Sequence, residues 1–354
     1  MEIKITKSQN LKEKPDSNGL GFGQIFSDHM FMMEYNKKEG WHDARIVPYG
    51  PLSLDPASTV FHYGAEIFEG LKAYRRPDGK VQLFRPTENI RRMNNSAERL
   101  CLPQLDEEFA LKAIDTLVKL DEDWVPSAPG TSLYIRPFMF GADPHLGVHA
   151  VDHAVFVIIT GPVGSYYKEG INPVKIMIET EDVRAVRGGT GYAKCGGNYA
   201  ASLRAGEKAE EKGYSQVLWL DGVERKYIEE VGAMNVMFKI GDEVVTPALT
   251  GSVLPGITRK SCVEILKSKG MKVSERLLSV DELIGAAKDG NLVEAWGCGT
   301  AAVVSPISHL AYKGEVYEIG NSVIGTLTKE LYDILTGIQW GKAEDTFGWT
   351  HPID

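Results

Sequence analysis

Apolar and polar positions along the chain change period several times, and each change suggests an element. Residues 71–75 and 81–85 are apolar-rich runs flanking Pro77-Asp78-Gly79, the pattern of a β-hairpin. Residues 88–100 and 107–118 then place apolar side chains three and four apart, which predicts two amphipathic helices. Two β-rich runs follow at 132–140 and 154–160. Gly161-Pro162-Val163-Gly164 interrupts the pattern, and the chain stays loop-like through Gly170-Ile171-Asn172-Pro173. Beyond it, strands are expected at 174–179, 216–220 and 235–240, and helices at 199–212, 258–269 and 323–336. Strands and helices alternate irregularly, so a mixed α+β chain is expected rather than a doubly wound sheet. The break predicts two domains: a smaller N-terminal one over 1–165, an interdomain loop at 166–178, and a larger C-terminal one over 179–354.

Composition narrows the functional classes. The chain has 354 residues and a net charge of −9. An acidic balance of this size argues against nucleic-acid binding, which needs clustered Lys and Arg. The polar opening MEIKITKSQN has no secretory pattern, and the longest apolar run, 154–161, is too short to span a bilayer. Cys101, Cys195, Cys262 and Cys298 form no C-x-x-C pair. Reduced thiols and a cytoplasmic location are therefore expected, with no membrane partner. His145, His149 and His153 are four apart, but Pro144 and Gly147 break any helix that would align them, so no metal site is expected.

The segment Gly188-Gly189-Thr190-Gly191-Tyr192-Ala193-Lys194-Cys195-Gly196-Gly197 sets one lysine among five glycines. Glycines permit close backbone approach to a ligand. An enclosed lysine becomes a nucleophile toward carbonyls, whereas the same residue in an open loop is merely solvated. The residues alone leave both possibilities standing. Were Lys194 to carry pyridoxal 5′-phosphate, the pyridine nitrogen would need a carboxylate and the phosphate would need backbone N–H groups and a cation. Glu230 lies in an apolar, strand-like run, where it is either that carboxylate or a strand-edge charge. Leu254-Pro255-Gly256-Ile257-Thr258-Arg259 opens a predicted helix, so Ile257 and Thr258 offer unsatisfied N–H groups. Gly297-Cys298-Gly299-Thr300-Ala301-Ala302 is a second small-residue loop. It suits an anion, with Thr300 as donor. It also matches a degenerate G-x-G-x-x-A, although Pro306 follows before a helix can form.

Taken together, these segments resemble the branched-chain aminotransferases, class IV pyridoxal-phosphate enzymes. The resemblance spans about residues 61–341. It rests on Phe68-Glu69-Gly70-Leu71-Lys72-Ala73-Tyr74, Leu83-Phe84-Arg85-Pro86, Leu133-Tyr134-Ile135-Arg136-Pro137, Tyr192-Ala193-Lys194-Cys195-Gly196-Gly197-Asn198-Tyr199, Glu230-Val231-Gly232-Ala233-Met234-Asn235, Leu254-Pro255-Gly256-Ile257-Thr258-Arg259 and Gly299-Thr300-Ala301. It implies fold type IV, with two α/β domains and the cofactor at their interface, and a homodimer. The implied reaction is reversible amino transfer from L-leucine, L-isoleucine or L-valine to 2-oxoglutarate, giving the branched 2-oxo acid and L-glutamate.

Roles follow from the resemblance one residue at a time. Lys194 is similar to the Schiff-base lysine and catalytic acid–base, and Glu230 to the partner of the pyridine nitrogen. Tyr199 resembles the tyrosine that bonds the cofactor's phenolic oxygen. Arg92 resembles the phosphate-binding arginine, joined by the N–H groups of Ile257 and Thr258 and by the Thr300 hydroxyl. The backbone of Thr300, Ala301 and Ala302 is similar to the loop that receives the substrate α-carboxylate. Tyr63, Phe68, Tyr134 and Tyr166 would wall the side-chain pocket, with Arg136 beside it to meet a distal carboxylate. In some members a C-x-x-C redox switch follows the Gly-Thr-Ala loop. Here Ala302 and Ser305 stand at those positions, so thiol regulation there is not expected. Three rival readings remain: a D-amino-acid aminotransferase or aminodeoxychorismate lyase of the same group, an NAD-dependent oxidoreductase resting on 297–302, and a non-catalytic dimeric binding protein.

Overall fold

The structure is a computed structural model describing residues 1–164 and 171–353. The chain forms two compact units. One comprises Met1–Lys168, Ala193–Gly196 and Gly337–Asp354, and the other Glu169–Tyr192 and Gly197–Thr336.

The first unit is built on a mainly antiparallel sheet. Its strand order is Lys4–Ile5, Gly40–Pro48, His29–Asn36, His153–Val163, Ser132–Gly141, Leu71–Arg75, Val81–Phe84 and Thr350–Ile353, and Glu66–Phe68 also pairs with Ser132–Gly141. Alternation along these strands sends Phe31, Ile46, Leu71, Ala73, Leu133, Ile135, Phe156 and Ile158 into one core. Two helices, Pro86–Arg99 and Glu107–Leu120, cover it with Ile90, Met93 and Ala97 and with Ala110, Ala113, Ile114 and Leu117. This is the three-and-four spacing that the sequence displays. Pro86 opens the first helix, and Asp106 caps the second by accepting the Phe109 N–H at 2.7 Å. Tyr134 and Arg136 alternate with the core residues Leu133 and Ile135, so they emerge on the sheet face opposite the helices.

The second unit's sheet runs Ile228–Val231, Gln216–Leu220, Val174–Ile178, Val303–Tyr312, Leu292–Gly299, Asn235–Ile240, Glu243–Pro247 and Lys272–Arg276, with Glu315–Glu318 paired to Val303–Tyr312. Val280–Lys288 packs Leu283 and Ile284 into its core, and Leu203–Glu211 sets Ala205 and Ala209 against Val217 and Trp219. Ser279 and Glu282 start the former helix as a capping pair, the Ser279 hydroxyl accepting the Glu282 N–H at 3.1 Å.

Three sequence expectations differ from this fold. The helix expected over 199–212 is two, Gly196–Ala200 and Leu203–Glu211, separated by a turn at Ala201-Ser202. Val174–Ile178 is the strand expected at 174–179, its apolar alternation satisfied between two parallel neighbours, so the interdomain loop expected over 166–178 overlaps the second sheet. Thr350–Ile353, expected in a C-terminal domain of 179–354, pairs antiparallel with Val81–Phe84 in the first unit, since that edge offers its free hydrogen-bonding groups. Among the described residues, no helix is long and apolar enough to cross a membrane.

Candidate active site

In the first unit, the expected site residues are assembled by strand register. Phe68 lies opposite Phe138, and Lys72 opposite Tyr134, so Phe68, Lys72, Tyr134 and Arg136 share one face. The Phe68 ring is a platform for two cations: Lys194 Nζ lies 4.8 Å from its centroid and the Arg136 guanidinium carbon 4.7 Å. Arg136 donates to the Tyr134 hydroxyl at 3.0 Å and also lies over the Tyr134 ring. Its Nε is buried and makes no hydrogen bond, so this guanidinium retains donor capacity. Gly70 permits the arrangement, because a Cβ there would collide with the Tyr134 hydroxyl. Tyr63 is 42 % exposed, its hydroxyl accepting the Gly147 N–H at 2.8 Å. Tyr166 lies outside the described residues.

Lys194 is seated through its backbone. Its N–H donates to Ser96 Oγ at 2.9 Å, and its carbonyl accepts from Phe68 N–H at 2.9 Å. Ser96 itself donates to the Arg92 carbonyl at 3.0 Å, so the helix carrying Arg92 also supports the lysine. Arg92 is 7 % exposed and forms a two-pronged ion pair with Glu69, at 2.7 and 2.9 Å. Asn89 Nδ2 and the Gly70 N–H complete the shell of Glu69 Oε2, at 2.7 and 3.1 Å. Burial alone would raise the Glu69 pKa. The charge and hydrogen bonds of the Arg92 guanidinium, the charge of Lys194 and the Asn89 amide together outweigh it, and the carboxyl is held below its ordinary value. Glu69 belongs to a motif quoted from the sequence, yet the resemblance gives it no role. The available signal is a carboxylate between Phe68 and Gly70 in an otherwise apolar strand end.

Lys72 is a second amine of this face, itself buried, and burial lowers its pKa from 10.5 to about 8. Between those values the unfolded chain holds a proton that the folded chain releases. Stability should therefore rise with pH across that window, by up to roughly 3 kcal/mol. Denaturant titrations at pH 7.5 and 10.5 check this: the rise should vanish in Lys72→Met, and an unchanged slope in that variant would refute the assignment.

In the second unit Glu230 is 2 % exposed. Its Oε1 accepts the Leu254 N–H at 2.7 Å, and its Oε2 lies 3.4 Å from Arg184 Nε, an ion pair without hydrogen-bond alignment. Arg184 carries no signal in the sequence. Adjacent Glu229 points its carboxylate to the Ser252 hydroxyl instead, and burial raises its pKa. The contact at Leu254 ties Glu230 to the approach of the helix Ile257–Ser268. That helix has Gly256 as its N-cap and no side-chain cap, so Ile257 and Thr258 open it as expected. Gly256 is required, because a Cβ would collide with Asn235 Oδ1, whose amide donates to the Leu254 carbonyl at 2.9 Å.

Thr300, Ala301 and Ala302 form the turn between Leu292–Gly299 and Val303–Tyr312, with Gly299 paired to Val303. The G-x-G-x-x-A match is thus a β-hairpin, not a strand entering a helix, and the dinucleotide reading loses its structural context. Tyr199 sits half-buried on Gly196–Ala200, and Thr190 and Asn198 clamp the glycine-rich loop through two 2.8 Å hydrogen bonds.

Each unit carries groups of the kinds that pyridoxal phosphate requires: the first an amine over an aromatic ring and a buried arginine, the second a buried carboxylate and an uncapped helix start. The comparisons agree. The model of the family amino-transferase class IV matches residues 66–310. The chain is 57 % identical over 351 residues to branched-chain-amino-acid aminotransferase 2 of Bacillus subtilis, covering 99 % of this chain and 97 % of that one. It is 48 % identical over 334 residues to the branched-chain-amino-acid aminotransferase of Mycolicibacterium smegmatis, covering 93 % and 91 %. The crystal structure of the Escherichia coli branched-chain amino acid aminotransferase superposes with a TM-score of 0.77 at 26 % identity, covering 92 % of this chain and 99 % of that one. A second solved branched-chain amino acid aminotransferase, with pyridoxamine 5′-phosphate, gives the same TM-score of 0.77 and 26 % identity, covering 94 % and 100 %. The chain belongs to the amino-transferase class IV family.

Proposed function

We propose that this protein is a branched-chain amino acid aminotransferase, which passes the amino group of L-leucine, L-isoleucine or L-valine to 2-oxoglutarate. The observation that carries the reading is the Phe68 platform, where one aromatic face meets the Lys194 amine and the Arg136 guanidinium together. Such a surface can pack a branched aliphatic side chain and also offer a cation to the distal carboxylate of glutamate. Relatives at 57 %, 54 % and 51 % identity, each matched over nearly its whole length, carry branched-chain aminotransferase names and support the same substrates.

Pyridoxal 5′-phosphate, when bound, supplies an aldehyde that condenses with amines and a conjugated ring that accepts the electron pair left at the substrate Cα. Lys194 Nζ would hold the cofactor and, once the substrate amine has displaced it, would carry a proton from the substrate Cα to the cofactor's C4′ carbon. Glu230 would keep a proton on the pyridine nitrogen. Tyr199 would donate to the phenolic oxygen. Arg92, the Ile257 and Thr258 N–H groups and the Thr300 hydroxyl would bind the phosphate. The backbone at Thr300, Ala301 and Ala302 receives the α-carboxylate, while Tyr63, Phe68, Tyr134, Arg136 and Tyr166 sort the side chain. A homodimer acting in the cytoplasm completes the proposal.

Visible absorbance of the purified protein tests the reading. The band of the bound cofactor should bleach on adding L-leucine and return on adding 2-oxoglutarate, with L-glutamate formed in equal amount. A response to D-alanine alone would keep the cofactor and overturn the substrate.

A further inference from the structure

Glu66 has no part in the chemistry just described, yet it sits where both halves of the substrate problem meet. It shares the strand Glu66–Phe68 with the aromatic platform, two residues from Phe68 and on the same face. One carboxylate oxygen accepts the N–H of Gly196, two residues beyond Lys194, and a Cβ at Gly196 would collide with it. Among the described residues, its other oxygen makes no hydrogen bond. Arg136, over the Phe68 ring, has no carboxylate within ion-pair distance among the described residues, and its buried Nε is unsatisfied. Burial raises the Glu66 pKa, while the Gly196 N–H and the charge of Arg136 pull the other way, so the two side chains feel each other without touching.

A half-buried guanidinium such as that of Arg136 needs a counter-charge when a bound substrate expels the water around it. An aliphatic substrate supplies none, and a dicarboxylate supplies its own. We propose that Glu66 is a specificity-determining residue whose carboxylate competes with the substrate's distal carboxylate for the Arg136 guanidinium. With leucine bound, Glu66 compensates Arg136 and the apolar complex is favoured. With glutamate or 2-oxoglutarate bound, Glu66 repels the incoming carboxylate and restrains its affinity. One residue thereby levels the enzyme's affinity for two chemically unlike substrates. This inference rests on the functional reading above.

The test is Glu66→Gln, which keeps an acceptor for the Gly196 N–H and removes the charge. Binding of 4-methylvalerate and of glutarate to the holoenzyme, measured by calorimetry, needs no turnover. Loss of a unit charge acting at intermediate range in a partly buried site should shift the ratio of the two dissociation constants about tenfold toward glutarate. KM should follow, rising for L-leucine and falling for 2-oxoglutarate, while Glu66→Asp, which retains the charge, should keep most of the wild-type ratio. If Glu66→Gln weakens both ligands by one factor, Glu66 acts only through the turn bearing Lys194 and the proposal is overturned. An unchanged ratio overturns it as well. Should the wild-type holoenzyme fail to turn over L-leucine, the functional reading falls, while the binding ratio still judges Glu66.

Discussion

Lys194→Ala is expected to lower kcat by roughly four orders of magnitude, at the upper end of what a positioned acid–base group contributes. The fold should be untouched. Lys194 is held by its backbone, N–H to Ser96 Oγ and carbonyl to the Phe68 N–H, and alanine preserves both bonds. What disappears is the amine 4.8 Å from the Phe68 centroid. A small exogenous amine such as methylamine should restore part of the rate with a dependence on its own basicity, because the lesion is a missing proton carrier. Lys72 is no substitute: it is buried in its own strand position opposite Tyr134. Stopped-flow turnover of L-leucine, beside thermal unfolding of the same variant, reads both quantities. Retention of a tenth of the wild-type kcat would remove Lys194 from the mechanism.

The second large effect is on stability. Glu69→Leu strips the counter-charge from Arg92, leaving a buried guanidinium uncompensated, and should cost about 3–5 kcal/mol. The denaturation midpoint in urea should fall with little change in slope. Adding Arg92→Met to the same chain should recover most of the loss, since the uncompensated charge is then gone. A double variant no more stable than Glu69→Leu would show that Glu69 acts through some other contact. The pH dependence has a definite sign. The Glu69 carboxyl is held below its ordinary value in the folded state, chiefly by Arg92 against the opposing effect of burial. Its contribution is therefore complete above the ordinary carboxylate range and disappears as pH falls through the lowered value. Acid unfolding of Glu69→Leu should lack that component.

Much of this is legible in the sequence, and the boundary of legibility is physical. The helix Pro86–Arg99 can be read because its apolar stripe recurs every three to four residues, and the hairpin 71–84 because Pro77-Asp78-Gly79 marks the reversal. The residues assigned by resemblance sit in glycine-rich or short apolar motifs, where few side chains can be exchanged without collision, as Gly70 and Gly256 illustrate. The Glu69–Arg92 pair, 23 residues apart, and the Arg184–Glu230 contact depend on which element packs on which, and no local period encodes that. The strand Thr350–Ile353 escapes a reading by period because it is four residues long and contains Pro352, which ordinarily argues against a strand and is tolerated at a sheet edge.

That same edge strand has a practical corollary. A fragment ending near residue 170 would lack both the outermost strand of its own sheet and the tetrapeptide Ala193–Gly196, which joins it from far along the chain. Attempts to split the protein for complementation, or to append a tag just beyond Ile353, act on a segment already engaged in backbone pairing and bonded through His351 to Asp115 of the helix Glu107–Leu120. A safer new opening lies at the exposed tip around Asp78-Gly79, where the chain reverses between two strands that remain paired with each other.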